Sequence, residues 1–164
     1  HLLNRLHHQR PRGFGNTAWL KGLEQFTDGH KSFLDYGCGK GVILAHLKEE
    51  FPHIEFQGYD PALQMWERRP DKKYKMIFCN DVLEHVEPKF ITHVLQNINN
   101  LTKEYVWLRI DTLPARKKLS DGRNAHLIIE NKQWWLNLIQ EHINGNIVYS
   151  ELNKKGKLDV AIEK

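Results

Sequence analysis

Residues 33–47, FLDYGCGKGVILAHL, restrict the possible folds more than any other stretch of the chain. An apolar run of strand length enters three glycines spaced Gly-x-Gly-x-Gly (Gly37, Gly39, Gly41) and leaves them as residues with helical periodicity. Glycine at a strand-to-helix turn accepts φ > 0 and puts no Cβ between backbone and ligand, so an adenosine-type molecule can lie against the loop and the helix N-terminus. A dinucleotide fingerprint is excluded, because its last glycine would fall where Val42 stands. A phosphate loop is excluded as well, because Lys40 precedes Gly41 instead of following the last glycine.

The rest of the chain repeats this strand and helix rhythm. SFLDY, IEFQGY, KMIFCN and YVWLRI read as strands, VILAHLKEEF, PKFITHVLQNINNL and NKQWWLNLIQEH as helices, and PALQMWERR as a short helix opened by Pro61. NIVYSEL and KLDVAIE flank Asn153, Lys154, Lys155 and Gly156 as a hairpin. Such alternation predicts an α/β fold with helices on both faces of a mostly parallel sheet, ended by an antiparallel hairpin. With 164 residues, the chain has the length of one domain. Residues 1–31 are expected to form a basic lead-in followed by a helix whose Trp19, Leu20, Leu23 and Phe26 share a face, and residues 32–164 the α/β domain.

At 40% apolar and 27% charged residues, the composition is that of a globular protein with a solvated surface. No apolar run approaches the roughly 20 residues of a membrane span, and the N-terminus lacks the apolar stretch of a secretory signal, so the expectation is a cytoplasmic protein with no membrane partner. The start at His1 reads as a portion of a longer chain. Cys38 and Cys79 read as reduced and structural. A net charge of +4 helps to recruit an anionic partner without requiring one.

Asp60 ends the second strand, 19 positions after Gly41, which is room for the helix and return strand of one βαβ unit. There its two carboxylate oxygens match the vicinal hydroxyls of a ribose. The competing reading makes the glycines a structural turn and Asp60 a helix cap. Strand, spacing and carboxylate together favour the ligand.

The Asp35-x-Gly37-x-Gly39-x-Gly41 pattern with Asp60 resembles motif I and the following acidic position of the class I, Rossmann-like, S-adenosylmethionine-dependent methyltransferases. NDVLEHVEP is similar to that family's motif IV region. The resemblance spans about residues 32–163 and implies a three-layer Rossmann-like sheet with S-adenosyl-L-methionine as cofactor. It implies cofactor contacts at Asp35, Tyr36, Gly37, Gly39, Gly41, Asp60, Pro61, Asn80 and Asp81, with Asp35 at the amino-acid end. Only 13 residues separate Asp60 from Tyr74, so the family's third strand is expected to be missing or vestigial, leaving Met65, Trp66 or the backbone near Asn80 to close the adenine side.

Methyl transfer to a hydroxyl needs alignment and proton removal, and an imidazole, with an unperturbed pKa of about 6.5, suits the second task. His126 is the first choice and His85 the second. The competing reading of His126 is a loop anchor packed on Trp134 or Trp135, themselves a helix-to-sheet packing pair. Glu84 and His85 are read as fixing their loop through hydrogen bonds, without metal. The alternative is a divalent ion on Asp81, Glu84 and His85. In the small-RNA 2′-O-methyltransferases a similar arrangement holds a metal with a more distant histidine, which the resemblance implies to be His126.

The acceptor expected is a small polar metabolite or carbohydrate, methylated on oxygen or else nitrogen. Arg109, Arg116, Lys117, Lys118 and Arg123 favour an anionic one, although such clusters are commonly solvated surface. RNA is a second acceptor class, motivated by the basic lead-in and loop. A noncatalytic cofactor-binding protein is the reading of a different class, motivated by the shortened adenine side.

Overall fold

A computed structural model describes residues 32–164, and the lead-in and helix expected over residues 1–31 lie outside the described residues. Strand β1 (Ser32–Tyr36) is buried on both faces, as a central parallel strand must be. Phe33 faces a core with α1 (Val42–Glu50), whereas Leu34 and Tyr36 face the opposite core. The alternating side-chain direction of one strand thus nucleates two layers.

Strands β2 (Glu55–Tyr59), β3 (Tyr74–Asn80) and β4 (Thr102–Asp111) run parallel to β1. The sheet order is β2-β1-β3-β4-β6-β5, where β6 (Lys157–Glu163) lies antiparallel between β4 and the edge strand β5 (Asn146–Leu152). Helices α2 (Ile91–Leu101) and α3 (Lys132–His142) cover the face opposite α1. There Ile91, Leu95, Ile98, Trp135 and Ile139 pack onto Ile77, Val106 and Val160. Asn131 caps α3 by accepting the Trp134 amide at 3.0 Å. Trp135 is wholly buried, in agreement with a packing role for the tryptophan pair. The expected three-layer α/β sheet with its antiparallel C-terminal pair is therefore present.

After β1 the chain moves to β2 on one side, then returns to β3 on the other. This reversal opens a crevice above the C-terminal ends of β1 and β3, where doubly wound sheets take their ligands. No strand occurs between Tyr59 and Tyr74, which bears out the missing third strand.

The short helix expected over PALQMWERR is not formed. Its place is taken by linked turns, with Leu63 N donating to Asp60 O, Trp66 N to Leu63 O and Asp60 N back to Trp66 O. Asp60 also accepts the Ala62 amide through Oδ1, so its side chain competes with helix continuation. The closed loop folds Trp66 inward against Gly41 and Gly58, where added Cβ atoms would lie 3.1 Å from its ring. Farther on, Pro88–Phe90 is a 3-10 turn leading into α2 rather than its first turn.

Candidate active site

One cavity of about 670 Å³ occupies the crevice. Asp35, Tyr36, Gly37, Gly39, Asp60, Pro61, Asn80, Asp81, His85 and His126 all border it. Gly41 does not.

The glycine loop is held from below by β2: the Gly37 and Cys38 amides both donate to Tyr59 O, at 2.7 and 3.1 Å. Gly37, Gly39 and Gly41 have φ of 82°, 52° and 73°, the left-handed region where a Cβ is disfavoured. A Cβ on Gly37 would meet Val82 Cγ2 at 2.4 Å. Gly37 is thus also required by the packing of Val82 around the loop, a reason additional to the ligand clearance expected from sequence, whereas Gly41 is favoured by its left-handed φ beside Trp66.

Asp60 is buried, with Oδ2 accepting the Gly39 amide and Oδ1 the Ala62 amide, both at 2.9 Å. It therefore ties the glycine loop to the end of β2, and each oxygen keeps a second lone pair. The capping reading and the ligand reading of Asp60 are compatible.

Two other groups at the cavity carry polar atoms that no group among the described residues satisfies. Asp35 Oδ2 is buried without a hydrogen-bond partner, and so are both amide atoms of Asn80. Burial, and next the neighbouring Asp60 charge, push the Asp35 carboxyl up to about 7. Orphaned polar atoms of this kind are costly in a folded core, and a polar ligand in the crevice relieves them. Of the three groups expected to close the adenine side, Met65 and Trp66 do not border the cavity, Met65 being 73% exposed, whereas Asn80 does. Pro61, Ala62 and Val82 also line the cavity.

At the opposite end, the 3-10 turn Leu83–His85 and the loop after β4 are joined. The Leu127 and Ile128 amides both donate to Glu84 O, and His85 Nδ1 donates to Ala125 O at 2.7 Å. Asn124 pins the loop from within, accepting the Ala115 and His126 amides and donating to Ala115 O. His126 Nδ1 donates to Leu113 O, and its ring meets His85 edge-on at 4.8 Å rather than packing on Trp134 or Trp135. Both Nδ1 atoms carry the hydrogen, because a carbonyl can only accept, so each neutral ring presents a bare Nε2. Burial, foremost, holds the His85 pKa below its usual value.

Glu84 is wholly buried; Oε1 accepts the Asp111 amide at 3.0 Å, and burial, followed by Asp81, pushes its carboxyl up to about 8. Hydrogen bonds through Glu84 and His85 do fix the loop, as expected. Asp81 has the unusual φ of 53° and pairs with Lys157 at 2.7 Å, and Lys157 also reaches Asp111 at 2.9 Å. Nothing local in the sequence points to Lys157, which enters from β6, 76 positions away from Asp81. Arg123 is engaged by Glu87 and Asp121 and Arg109 by Asp159, whereas Arg116 and Lys117 border the cavity.

A family model described as "Methyltransferase domain" matches residues 6–151. Among curated proteins, none matches the chain. Solved structures share the fold at low identity. The Synechocystis magnesium protoporphyrin IX methyltransferase with bound SAH is 12% identical, with a TM-score of 0.66 over 98% of this chain and 93% of its own. The Burkholderia thailandensis 1,6-didemethyltoxoflavin-N1-methyltransferase, solved with that substrate and S-adenosylhomocysteine, is 17% identical, with a TM-score of 0.63 over 88% of this chain and 75% of its own. PigF with SAH is 16% identical, with a TM-score of 0.58 over 90% of this chain, which spans only 55% of that longer protein.

Proposed function

Because the chain belongs to the methyltransferase-domain family, matched over residues 6–151, we propose that its crevice binds S-adenosylmethionine and directs the methyl group to an oxygen of a small polar acceptor. The observation that carries this reading is the set of unpaired polar atoms on Asp35 and Asn80 beside a glycine loop tied to Asp60. Asp35 fits the cationic amino-acid end, the remaining lone pairs of Asp60 fit ribose hydroxyls, and Asn80 offers a donor and an acceptor. The cofactor, when bound, supplies an electrophilic methyl carbon on a sulfonium. This chain's residues orient the acceptor and take its proton, for which His126 Nε2 is the first choice and His85 Nε2 the second.

The cavity of about 670 Å³ falls in the range of small-molecule sites and takes the cofactor first, so a small acceptor beside it is the first choice and RNA the second. Oxygen, nitrogen and porphyrin acceptors all occur among the named methyltransferases of this fold, so acceptor chemistry rests on His126 and not on the likeness. Calorimetry with S-adenosylmethionine and S-adenosylhomocysteine tests the cofactor reading, and absence of binding by either at millimolar concentration would remove it. An acceptor library with labelled methyl donor tests the enzyme reading. A protein that binds the cofactor yet methylates nothing in a broad library, RNA included, would be the noncatalytic alternative.

A further inference from the structure

The acceptor end of the cavity gathers three ligating atoms whose other contacts are already fixed. His85 and His126 each spend Nδ1–H on a backbone carbonyl, so in the neutral form of each ring the Nε2 lone pair is available. Glu84 Oε1 is held by the Asp111 amide, while Oε2 is buried with no hydrogen-bond partner. One ligand atom from each of the three residues falls within 4.8 Å of the others, and all three residues border the cavity. Once Glu84 is ionised, the three are convergent acceptors with no donor among them, an arrangement that a positive centre satisfies.

We infer that Glu84, His85 and His126 form a divalent transition-metal site whose remaining coordination positions open into the acceptor end of the cavity. Two imidazoles and one carboxylate suit zinc, cobalt, manganese or iron, whereas magnesium and calcium favour sets of oxygens. A carbonyl partner on each Nδ1 is the support that orients metal-binding histidines and makes Nε2 the better ligand. Ligand atoms around one such ion stand about 3–4 Å apart, so closure asks for small side-chain movements.

Asp81 is not a member of this set. Its Oδ1 is taken by Lys157, whose ammonium also meets Asp111, and this pairing separates it from the three-residue cluster. The site therefore departs from the four-residue arrangement considered from sequence. An ion here lowers the pKa of an acceptor hydroxyl that reaches it, a task otherwise left to an imidazole. The inference rests on the reading that the acceptor enters beside His126.

The test is titration of the chelator-treated full chain with Co2+, followed by visible absorption and calorimetry, with Zn2+ and Mg2+ as competitors. One equivalent of Co2+ should bind with the intense bands of a four- or five-coordinate ion, yield to Zn2+ and ignore Mg2+. His126→Ala and Glu84→Gln should each weaken that binding at least about tenfold. Glu84→Gln keeps an acceptor for the Asp111 amide, and His126→Ala serves if the glutamine variant fails to fold. Because the chain has 10 histidines, Co2+ binding unchanged in the His126 variant would overturn the site, as would no binding below about 100 μM. S-adenosylhomocysteine binding, measured in parallel, separates the two readings: if it persists without metal binding, only the metal site falls, and if both fail, the proposed function falls too.

Discussion

Asp35 shows how one buried carboxyl can couple cofactor affinity to pH. In the free protein its pKa is raised to about 7, whereas a bound cationic amino group favours the carboxylate and lowers it. Binding therefore releases a proton, and affinity for S-adenosylhomocysteine should rise from about pH 5 to about pH 7 and then level off. Asp35→Asn should bind about ten- to a hundredfold more weakly and lose that slope, as expected for a hydrogen bond to a charged group. Calorimetry in buffers of different ionisation heat checks both, and an affinity that falls with rising pH contradicts the assignment. For the unliganded protein the sign is reversed. The folded pKa of about 7 lies above the ordinary 3.8, so the native state holds the extra proton between them and stability should decline from about pH 4 to about pH 7.

Asp60 carries a second prediction. Its place beside the glycine loop was legible in sequence from its distance to the glycines, but its bonds to the Gly39 and Ala62 amides were not. Asp60→Ala should weaken cofactor binding and also lower stability, at about 1–3 kcal/mol for each buried amide left without an acceptor. Thermal melts beside calorimetry test this; lost affinity with unchanged stability would confine Asp60 to the ligand.

Among elements, the strand-to-helix turn was readable because its demands are local: an apolar strand, residues tolerant of φ > 0, then helical spacing. The segment after Asp60 was misread because Pro61 and the apolar spacing satisfy local rules for a helix, while capping by Asp60 and the pull of Trp66 into the core satisfy nonlocal ones. Val82 beneath Gly37 is a contact of the same nonlocal kind. Gly37→Ala should destabilise through left-handed strain of about 1–2 kcal/mol and overpacking of about 1–3 kcal/mol. Val82→Ala should cost less in that background than in the parent, so a double-mutant cycle of denaturant melts should show a favourable coupling. Additive effects would mean that the loop moves away from Val82.

Across the whole molecule, the cavity is bordered by β1, by turns after β2 and β3, by the loop after β4 and by β6, so a ligand there joins both halves of the sheet. Saturation with S-adenosylhomocysteine at 100 times its Kd should stabilise by about 2.7 kcal/mol, raising Tm by about 5–10 °C. Scanning calorimetry reads this directly; an unchanged Tm under those conditions would mean that the ligand does not select the native state. No helix among the described residues is long and apolar enough to cross a membrane.

By itself the sequence determined the sheet's alternation, its missing third strand and the glycine loop at the cavity, because periodicity, turn chemistry and the length of a connection act over a few residues. Tertiary structure alone decided that Lys157 claims Asp81 while Glu84, His85 and His126 stay together, and that Val82 packs where a side chain at Gly37 would lie. These contacts join residues far apart in the chain, and only the packing of the sheet, with backbone carbonyls placed to take each Nδ1–H, settles which side-chain atoms are left facing the cavity.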